Sequence, residues 1–255
     1  MSPFAPLDAW LSPRPDPARV GWLRDWRYAH RGLHGTDAPE NSPGAFAAAV
    51  NAGLGIECDV QLTADKRAVV FHDAELGRLT AEQGLVAERN ADDLARIVLT
   101  GSSDTIPTLR AMLTAVAGRV PVLIEIKAQG ARRNPVLCLA VRRALEGYTG
   151  AVAVMSFDPR VVRWFAVHSP LTLRGLVISE EHSRGPAGRL RRQLSLWSAR
   201  PDFLAYDVRD LPSAFAAAQR GRGLPLLTWA VRGEGSRERA AAHADAPIAE
   251  GAGIA

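Results

Sequence analysis

Three acidic residues lie inside short apolar runs of this chain, where the packing of a core does not select charge. Glu57 and Asp59 are two positions apart in one run, and Glu125 lies in a later run. On a β-strand, residues two apart project from the same face of the sheet, so Glu57 and Asp59 point together. Lys127 shares a face with Glu125 for the same reason.

Burial of even one isolated carboxylate costs several kcal/mol, so three carboxylates that converge predict a bound cation. Ligands that are all oxygen favour Mg²⁺ or Ca²⁺, whereas zinc sites usually include His or Cys. The alternative is a structural network of ion pairs in which Arg31 and Lys127 neutralise the acids.

Two histidines end predicted strands in the same layer as the acids. His30 closes the first strand and His72 closes the third. Imidazole titrates near neutral pH, so the pair supplies one candidate general base and one candidate general acid. Arg31 and Lys127 add positive charge beside the cation. Together these residue types predict a site for a phosphate ester.

Eight short apolar runs alternate with Ala- and Arg-rich segments of helical period. Continuously apolar runs predict strands buried on both faces, as in a parallel sheet covered by helices. We therefore predict an α/β fold, a TIM (β/α)8 barrel, rather than an open doubly wound sheet, which normally carries a glycine-rich phosphate loop. The predicted strands are residues 27–30, 55–62, 68–72, 120–126, 151–157, 173–178, 203–208 and 225–231.

The barrel is predicted to be a single domain over residues 27–255, preceded by a Pro-rich arm at residues 1–26. A small insertion, residues 73–106, follows the third predicted strand. Active sites of TIM barrels lie at the carboxyl ends of the strands, which is where the acids and the two histidines are found.

Composition excludes several classes of protein. Hydrophobic residues make up 47% of the chain and charged residues 23%, as in an ordinary globular protein. The net charge of +4 comes almost entirely from arginine without a basic stripe, so nucleic-acid binding is not predicted. No apolar run approaches ~18 residues, so no transmembrane segment is predicted. The N-terminus lacks the pattern of an export signal, and we expect a cytoplasmic location.

Two further features invite interpretation. Arg189, Arg191 and Arg192 form the one dense basic run, which predicts the solvated face of a helix, with contact to phosphate or an acidic surface as the alternative.

Cys58 and Cys138 form no C-x-x-C pair, and we expect two buried thiols.

Five short motifs occur in order along the chain, and as a set they resemble the glycerophosphodiester phosphodiesterase family (GDPD domain). The resemblance runs from about Tyr28 to Gly251. Each motif alone is weakly specific, whereas five in order at predicted strand ends are specific. The motifs are His30-Arg31-Gly32, Pro39-Glu40-Asn41-Ser42, Glu57-Cys58-Asp59-Val60, His72-Asp73 with Leu76 and Arg78-Leu79-Thr80, and Glu125-Ile126-Lys127.

The resemblance implies a metal-dependent hydrolase that cleaves small glycerophosphodiesters, such as glycerophosphocholine and glycerophosphoethanolamine, to sn-glycerol 3-phosphate and an alcohol. By position it implies one Mg²⁺ or Ca²⁺ held by Glu57, Asp59 and Glu125, with His30 and His72 as general base and acid. In the mechanism it implies, the substrate's own glycerol 2-hydroxyl attacks phosphorus, and water then opens the cyclic phosphate.

The resemblance also implies the residues that contact the substrate. Arg31 and Lys127 would bind the phosphate, and Glu40 would reach the glycerol or the outer shell of the metal. Asn41 would order the loop. Trp229, near the end of the eighth predicted strand, either lines the pocket or packs within the barrel.

The chain departs from the family pattern at two places. The family often has Trp-Thr-Val-Asn where this chain has Trp229-Ala230-Val231-Arg232, and Ile248-Ala249-Glu250-Gly251 lacks the usual aromatic residue. These departures bear on substrate preference and leave the metal ligands and histidines unchanged. The alternative functions are a lysophospholipase D-like enzyme acting on lysophospholipids and a non-catalytic barrel that binds phosphorylated ligands.

Overall fold

A computed structural model describes residues 4–181 and 183–254. Within these residues nine strands form one sheet. They are β1 (Tyr28–Ala29), β2 (Gly55–Leu62), β3 (Ala68–Val70), β4 (Val122–Ile126), β5 (Val152–Ser156), β6 (Leu173–Ile178), β7 (Phe203–Asp207), β8 (Leu226–Val231) and β9 (Ala246–Ala249). The helices are α1 (Ala5–Leu11), α2 (Pro17–Val20), α3 (Pro43–Asn51), α4 (Ala91–Leu94), α5 (Leu109–Val116), α6 (Asn134–Leu145), α7 (Pro159–His168), α8 (Pro186–Ala199), α9 (Ala214–Gly221) and α10 (Glu234–His243).

The strand order identifies the fold. Neighbouring strands follow the order β1-β9-β8-β7-β6-β5-β4-β2-β3, and β1 also pairs with β2. Setting β3 aside, this circular order with helices between the strands is that of a TIM (β/α)8 barrel. The predicted fold class is confirmed.

The prediction that residues 68–72 form the third barrel strand is wrong. β3 pairs antiparallel with β2, with Val60 opposite Val70, so it is the return strand of a hairpin. Only residues 63–67 separate the two strands, and a parallel neighbour needs a crossover of about a dozen residues or more. The eighth barrel strand is β9, which pairs parallel with β8 and was not predicted. It has only four residues and includes Pro247, so its sequence carries little strand signal.

The chain packs as two compact units. Unit I is Tyr28–Val152, and unit II combines the chain before Tyr28 with the chain after Val152. In unit I every residue of β2 and β4 is buried. The predicted insertion after β3 is present, and together with β3 it forms a small core that includes Val69, Leu76 and Leu94.

Unit II contains β5 to β9 and the N-terminal arm. The arm is partly helical, and Asp8 on α1 is completely buried. The Asp8 carboxylate accepts hydrogen bonds from Gln193, from Trp197 Nε1 at 2.8 Å and from Gln219 Nε2 at 2.9 Å. These bonds attach α1 to α8 and α9.

Candidate active site

The three predicted metal ligands lie together in unit I. Asp59 on β2 is directly opposite Glu125 in the parallel β2–β4 ladder, and Glu57 precedes Asp59 on the same face. One carboxylate oxygen from each residue lies within 4.8 Å of the other two. Glu57 and Asp59 are each 1% exposed, and Glu125 is 8% exposed. The strand pairing therefore concentrates three carboxylates in a nearly dry space.

The electrostatics of this cluster fit a hard divalent cation. Burial raises the pKa of Glu57 well above its usual value, and the neighbouring Asp59 and Glu125 raise it further. Burial and the Asp59 carboxylate also raise the pKa of Glu125, although Lys127 opposes them. Because three oxygen donors converge with too little positive charge nearby, a divalent cation among them would stabilise the ionised forms.

Lys127 supplies part of that charge. Its Nζ lies 2.8 Å from Asp59 Oδ1 and 2.7 Å from Glu125 Oε1. Burial alone raises the pKa of Asp59, but Lys127 and then Arg31 outweigh it, so the pKa is lowered overall. Burial would lower the pKa of Lys127, but the two carboxylates raise it above its usual value. Lys127 is therefore firmly cationic.

Arg31 approaches the cluster from the turn after β1. Its backbone N–H donates to Glu57 Oε2 at 3.0 Å, and its Nε lies 3.3 Å from Asp59 Oδ2. Its Nη1 donates to Glu40 Oε1 at 2.8 Å. Arg31 and Gly32 both have left-handed backbone angles, with φ of 57° and 80°. A Cβ at Gly32 would lie 2.9 Å from the carbonyl carbon of Ala45, so only glycine fits this close approach.

The two candidate histidines occupy different settings within unit I. His30 follows β1 directly and is buried, and the next residue, Arg31, binds Glu57. His72 is partly exposed, and its Nδ1 lies 2.6 Å from Asp73 Oδ1. Burial lowers the pKa of His72; Asp59 and Asp73 oppose this, whereas Lys127 reinforces it.

Two polar residues at this site were missed by the sequence analysis as site residues. Arg78 binds Asp73 and also donates to Glu40 Oε1 at 2.6 Å and to Glu40 Oε2 at 3.2 Å. It lies in the insertion, where no strand pattern signals its role, although it belongs to the fourth motif. Arg78 thus links Asp73, which contacts His72, to Glu40, which contacts Arg31.

Gln61 is the second residue missed. Its Nε2 donates to the carbonyls of Phe71 at 3.0 Å, His72 at 3.1 Å and Asp73, which fixes the turn carrying His72. Gln61 follows Asp59 by two positions on β2, so it faces the same side. A polar residue in an apolar strand was the signal that identified the acids, and it also marks Gln61.

Trp229 lies in unit II, on β8. Its indole N–H donates to the Ala205 carbonyl at 3.1 Å, and its ring contacts Phe157 edge-on with centroids 5.3 Å apart. Phe157 is half-exposed. Substrate contact by Trp229 stays a prediction.

The fold and the site together define a class: a TIM barrel in which β2 and β4 carry a buried carboxylate cluster, and in which the same unit holds the two candidate histidines and the cationic side chains of Arg31 and Lys127. The chain belongs to the glycerophosphoryl diester phosphodiesterase family, whose sequence model matches residues 30–249.

Among the described residues, the helices are too short or too polar for any of them to span a bilayer.

Individual relatives agree with this assignment. The chain is 39% identical over 129 residues to a glycerophosphodiester phosphodiesterase of Bacillus altitudinis, a match covering 48% of this chain and 52% of the relative. The chain thus spans about half the length of the curated relatives it matches.

Solved structures share the fold. A phosphodiesterase of Oleispira antarctica, in complex with the product sn-glycerol-3-phosphate, aligns with a TM-score of 0.77 at 21% identity, covering 88% of this chain and 92% of that one. A glycerophosphodiester phosphodiesterase of Thermotoga maritima aligns with a TM-score of 0.70 at 24% identity, covering 87% and 92%.

Proposed function

We propose that the chain hydrolyses glycerophosphodiesters, such as glycerophosphocholine and glycerophosphoethanolamine, to sn-glycerol 3-phosphate and an alcohol. The observation that carries the proposal is the convergence of Glu57, Asp59 and Glu125 beside Arg31 and Lys127, in a chain matched by the family over residues 30–249. The named relatives support the reaction, and the product bound to the Oleispira antarctica phosphodiesterase supports the substrate class.

Glu57, Asp59 and Glu125 are the proposed ligands of one divalent cation, Mg²⁺ or Ca²⁺. The bound cation would neutralise charge on the phosphodiester and on the leaving oxygen. The three buried carboxylates would hold it, and because burial raises the pKa of Glu57 well above its usual value, the cation would compete with a proton for that carboxyl.

His30 and His72 are the proposed proton carriers. Asp73 sits on the Nδ1 side of His72, so Nε2 is the nitrogen left for the substrate. One imidazole accepts the proton of the glycerol 2-hydroxyl as its oxygen bonds to phosphorus, and the other donates a proton to the departing alkoxide. Water then opens the cyclic phosphate with the proton transfers reversed, which yields sn-glycerol 3-phosphate. A neighbouring hydroxyl held in line has a large effective concentration over solvent.

Arg31 and Lys127 are proposed to bind the non-bridging phosphate oxygens, where their charge counters the charge that develops during transfer. Glu40 already accepts hydrogen bonds at both oxygens, from Arg31 and Arg78. We therefore assign Glu40 a positioning effect on Arg31. Its Oε2 accepts one hydrogen bond, from Arg78, so it keeps an acceptor site for a glycerol hydroxyl with the ion pairs intact.

The test measures release of sn-glycerol 3-phosphate from glycerophosphocholine and glycerophosphoethanolamine, and release of choline from lysophosphatidylcholine, each with Mg²⁺, Ca²⁺ or EDTA. We expect metal-dependent release from the two small diesters, lost in His30→Ala. Choline release from lysophosphatidylcholine alone would replace the proposal with the lysophospholipase D-like activity. A folded chain that is silent on all three substrates would contradict the proposal.

A further inference from the structure

A second concave surface lies entirely within unit II, between α8, α9 and the start of the chain's described part. This groove has a volume of about 1110 Å³. Pockets for small molecules usually measure about 300–1,000 Å³, so the groove has room for an extended ligand. None of the predicted site residues lines it.

The lining of the groove is divided by chemistry. Apolar side chains form part of it, among them Phe4, Leu211, Phe215 and Ala218. The charged lining consists of five arginines against two carboxylates: Arg184, Arg189, Arg192, Arg209 and Arg222 with Glu180 and Asp210. The groove therefore combines an apolar surface with a surface rich in guanidinium groups.

Four of these five arginines are already paired with carboxylates, and Arg189 is the exception. Arg209 lies 2.6 Å from Asp207, and Arg222 lies 3.6 Å from Asp8. Arg184 lies 3.0 Å from Asp210, and Arg192 lies 2.9 Å from Glu180. Among the described residues, Arg189 is exposed and has no ion-pair partner. Arg192 is only 8% exposed, and its Nε is buried without a hydrogen-bond partner in the described part of the chain. That nitrogen is closed to solvent and faces the protein interior, so Arg189 is the lining arginine that is open to an anion.

The three arginines of the basic run, Arg189, Arg191 and Arg192, lie in three different environments. The interpretation as a solvated helix face holds for Arg189 and Arg191, which are exposed on α8, and is wrong for Arg192. Arg189 and Arg192 line the groove, whereas Arg191 does not. The alternative interpretation of this run, contact with an anion, therefore applies to Arg189 in the groove.

We propose that this groove binds an amphipathic anion, in which an unbranched apolar chain carries a carboxylate or phosphate head. The chain would lie against Phe4, Phe215 and Ala218, and the head would lie against Arg189, the lining arginine that has no ion-pair partner among the described residues. Burial of the apolar chain supplies affinity, and Arg189 selects the charged head. The site is independent of the proposed phosphodiesterase activity.

The test measures binding to the full chain by isothermal titration calorimetry, in EDTA, at ligand concentrations below aggregation. The probes are decanoate, decyl phosphate, neutral decanol and inorganic phosphate. We expect saturable binding of decanoate and decyl phosphate, and much weaker binding of decanol and inorganic phosphate. The stronger of the two anions identifies a fatty acid or a monoalkyl phosphate as the source of the head group.

Three variants locate the binding. Arg189→Gln should weaken decanoate binding about two- to fivefold, as for loss of an exposed charge pair. Ala218→Trp should abolish binding by filling the apolar part, with its circular dichroism spectrum as a check on folding. Arg191→Gln, on the same helix but outside the groove, should bind as the unchanged chain does.

Several results would overturn the proposal. One is the absence of saturable binding, and another is equal affinity for decanol and decanoate. A third is binding seen only above the aggregation concentration and reduced by Leu194→Ser, which would assign it to exposed apolar side chains of α8. Because the experiment needs neither metal nor turnover, its failure is distinguishable from failure of the proposed activity.

Discussion

Asn41 and Asp59 bind each other twice. The Asn41 side-chain amide donates to Asp59 Oδ2 at 3.0 Å, and the backbone N–H of Asp59 donates to Asn41 Oδ1 at 3.2 Å. Both residues are buried. The loop before α3 is thereby attached to the central carboxylate of the site, and Asn41 adopts the left-handed backbone (φ 59°) that asparagine tolerates.

Removal of the Asn41 side chain should therefore destabilise the chain. Asn41→Gly keeps the backbone freedom, removes the side-chain acceptor of the buried Asp59 N–H, and removes one donor to Asp59 Oδ2, which still faces Arg31. The expected cost is about 1–3 kcal/mol in the free energy of unfolding. Asn41→Ala should cost about 1–2 kcal/mol more, because alanine resists the left-handed conformation. Urea denaturation measures both, with Asn51→Ala, exposed at the end of α3, as the control. Equal stability of Asn41→Gly and the unchanged chain would contradict the assignment.

Gly32 should be intolerant of any side chain. Gly32→Ala places a Cβ 2.9 Å from the carbonyl carbon of Ala45, at a backbone angle of φ 80°. We expect a loss of about 1–3 kcal/mol in the free energy of unfolding. Gly35→Ala is the matched control, since a Cβ there would meet nothing within 4 Å. The idea fails if the two variants unfold at the same urea concentration.

Lys127 should be essential for stability of the metal-free chain. Lys127→Met leaves the buried Asp59 and Glu125 without their nearest cation, and breaking such a pair costs about 3–5 kcal/mol. Added Mg²⁺ or Ca²⁺ should restore part of this loss, because a ligand that binds only the folded state stabilises it. The measurement is thermal unfolding with EDTA and with each metal. Lys66→Met, the other lysine, keeps the whole carboxylate cluster and is the control. The cation site is contradicted if neither metal raises the unfolding temperature of either variant.

The sequence predicted the carboxylate cluster better than it predicted the strands that carry it. Glu57, Asp59 and Glu125 stood out because charge inside an apolar strand is rare, and the β2–β4 register then brought them together. β3 was wrongly predicted as a barrel strand in place of β9, because strand propensity does not indicate whether neighbouring strands pair parallel or antiparallel. The length of the loop between them does indicate it. Arg78 could not be found in this way, because its partners, Asp73 and Glu40, are joined only by tertiary folding.

The pKa of His72 should lie below its usual value of about 6.5 in the metal-free chain. A folded-state pKa lowered in this way stabilises the fold fully above the unfolded value, and the contribution is lost as pH falls through the folded value. Asp73→Asn removes a hydrogen bond that raises the pKa, so it should lower the pKa of His72 further. Proton–nitrogen correlation spectra recorded from pH 4 to 8 would measure both. A higher pKa in Asp73→Asn would show that Asp73 does not stabilise the imidazolium.

Arg78 should influence catalysis without touching the carboxylate cluster. It holds Asp73, the partner of His72, and Glu40, the partner of Arg31, so its loss would loosen two groups proposed to act on the substrate. Arg78→Gln should lower kcat/KM about 10- to 100-fold through misplacement of these groups. The pKa of Asp73, held at about 2 against burial chiefly by Arg78 and then His72, should rise toward its usual value.

Arg89→Gln provides the matched control for Arg78→Gln. Arg89 is exposed to a similar extent and pairs with Glu82 on the surface at 3.6 Å, so its loss should leave kcat/KM and the Asp73 carboxyl unchanged. Carbon-13 shifts of the Asp73 carboxyl, recorded between pH 2 and 5, report the second readout separately from turnover. If Arg78→Gln raised the Asp73 pKa but kept full activity, the ion pair would be structural only. If it lowered activity with the Asp73 pKa unmoved, the effect would pass through Glu40 and Arg31 instead.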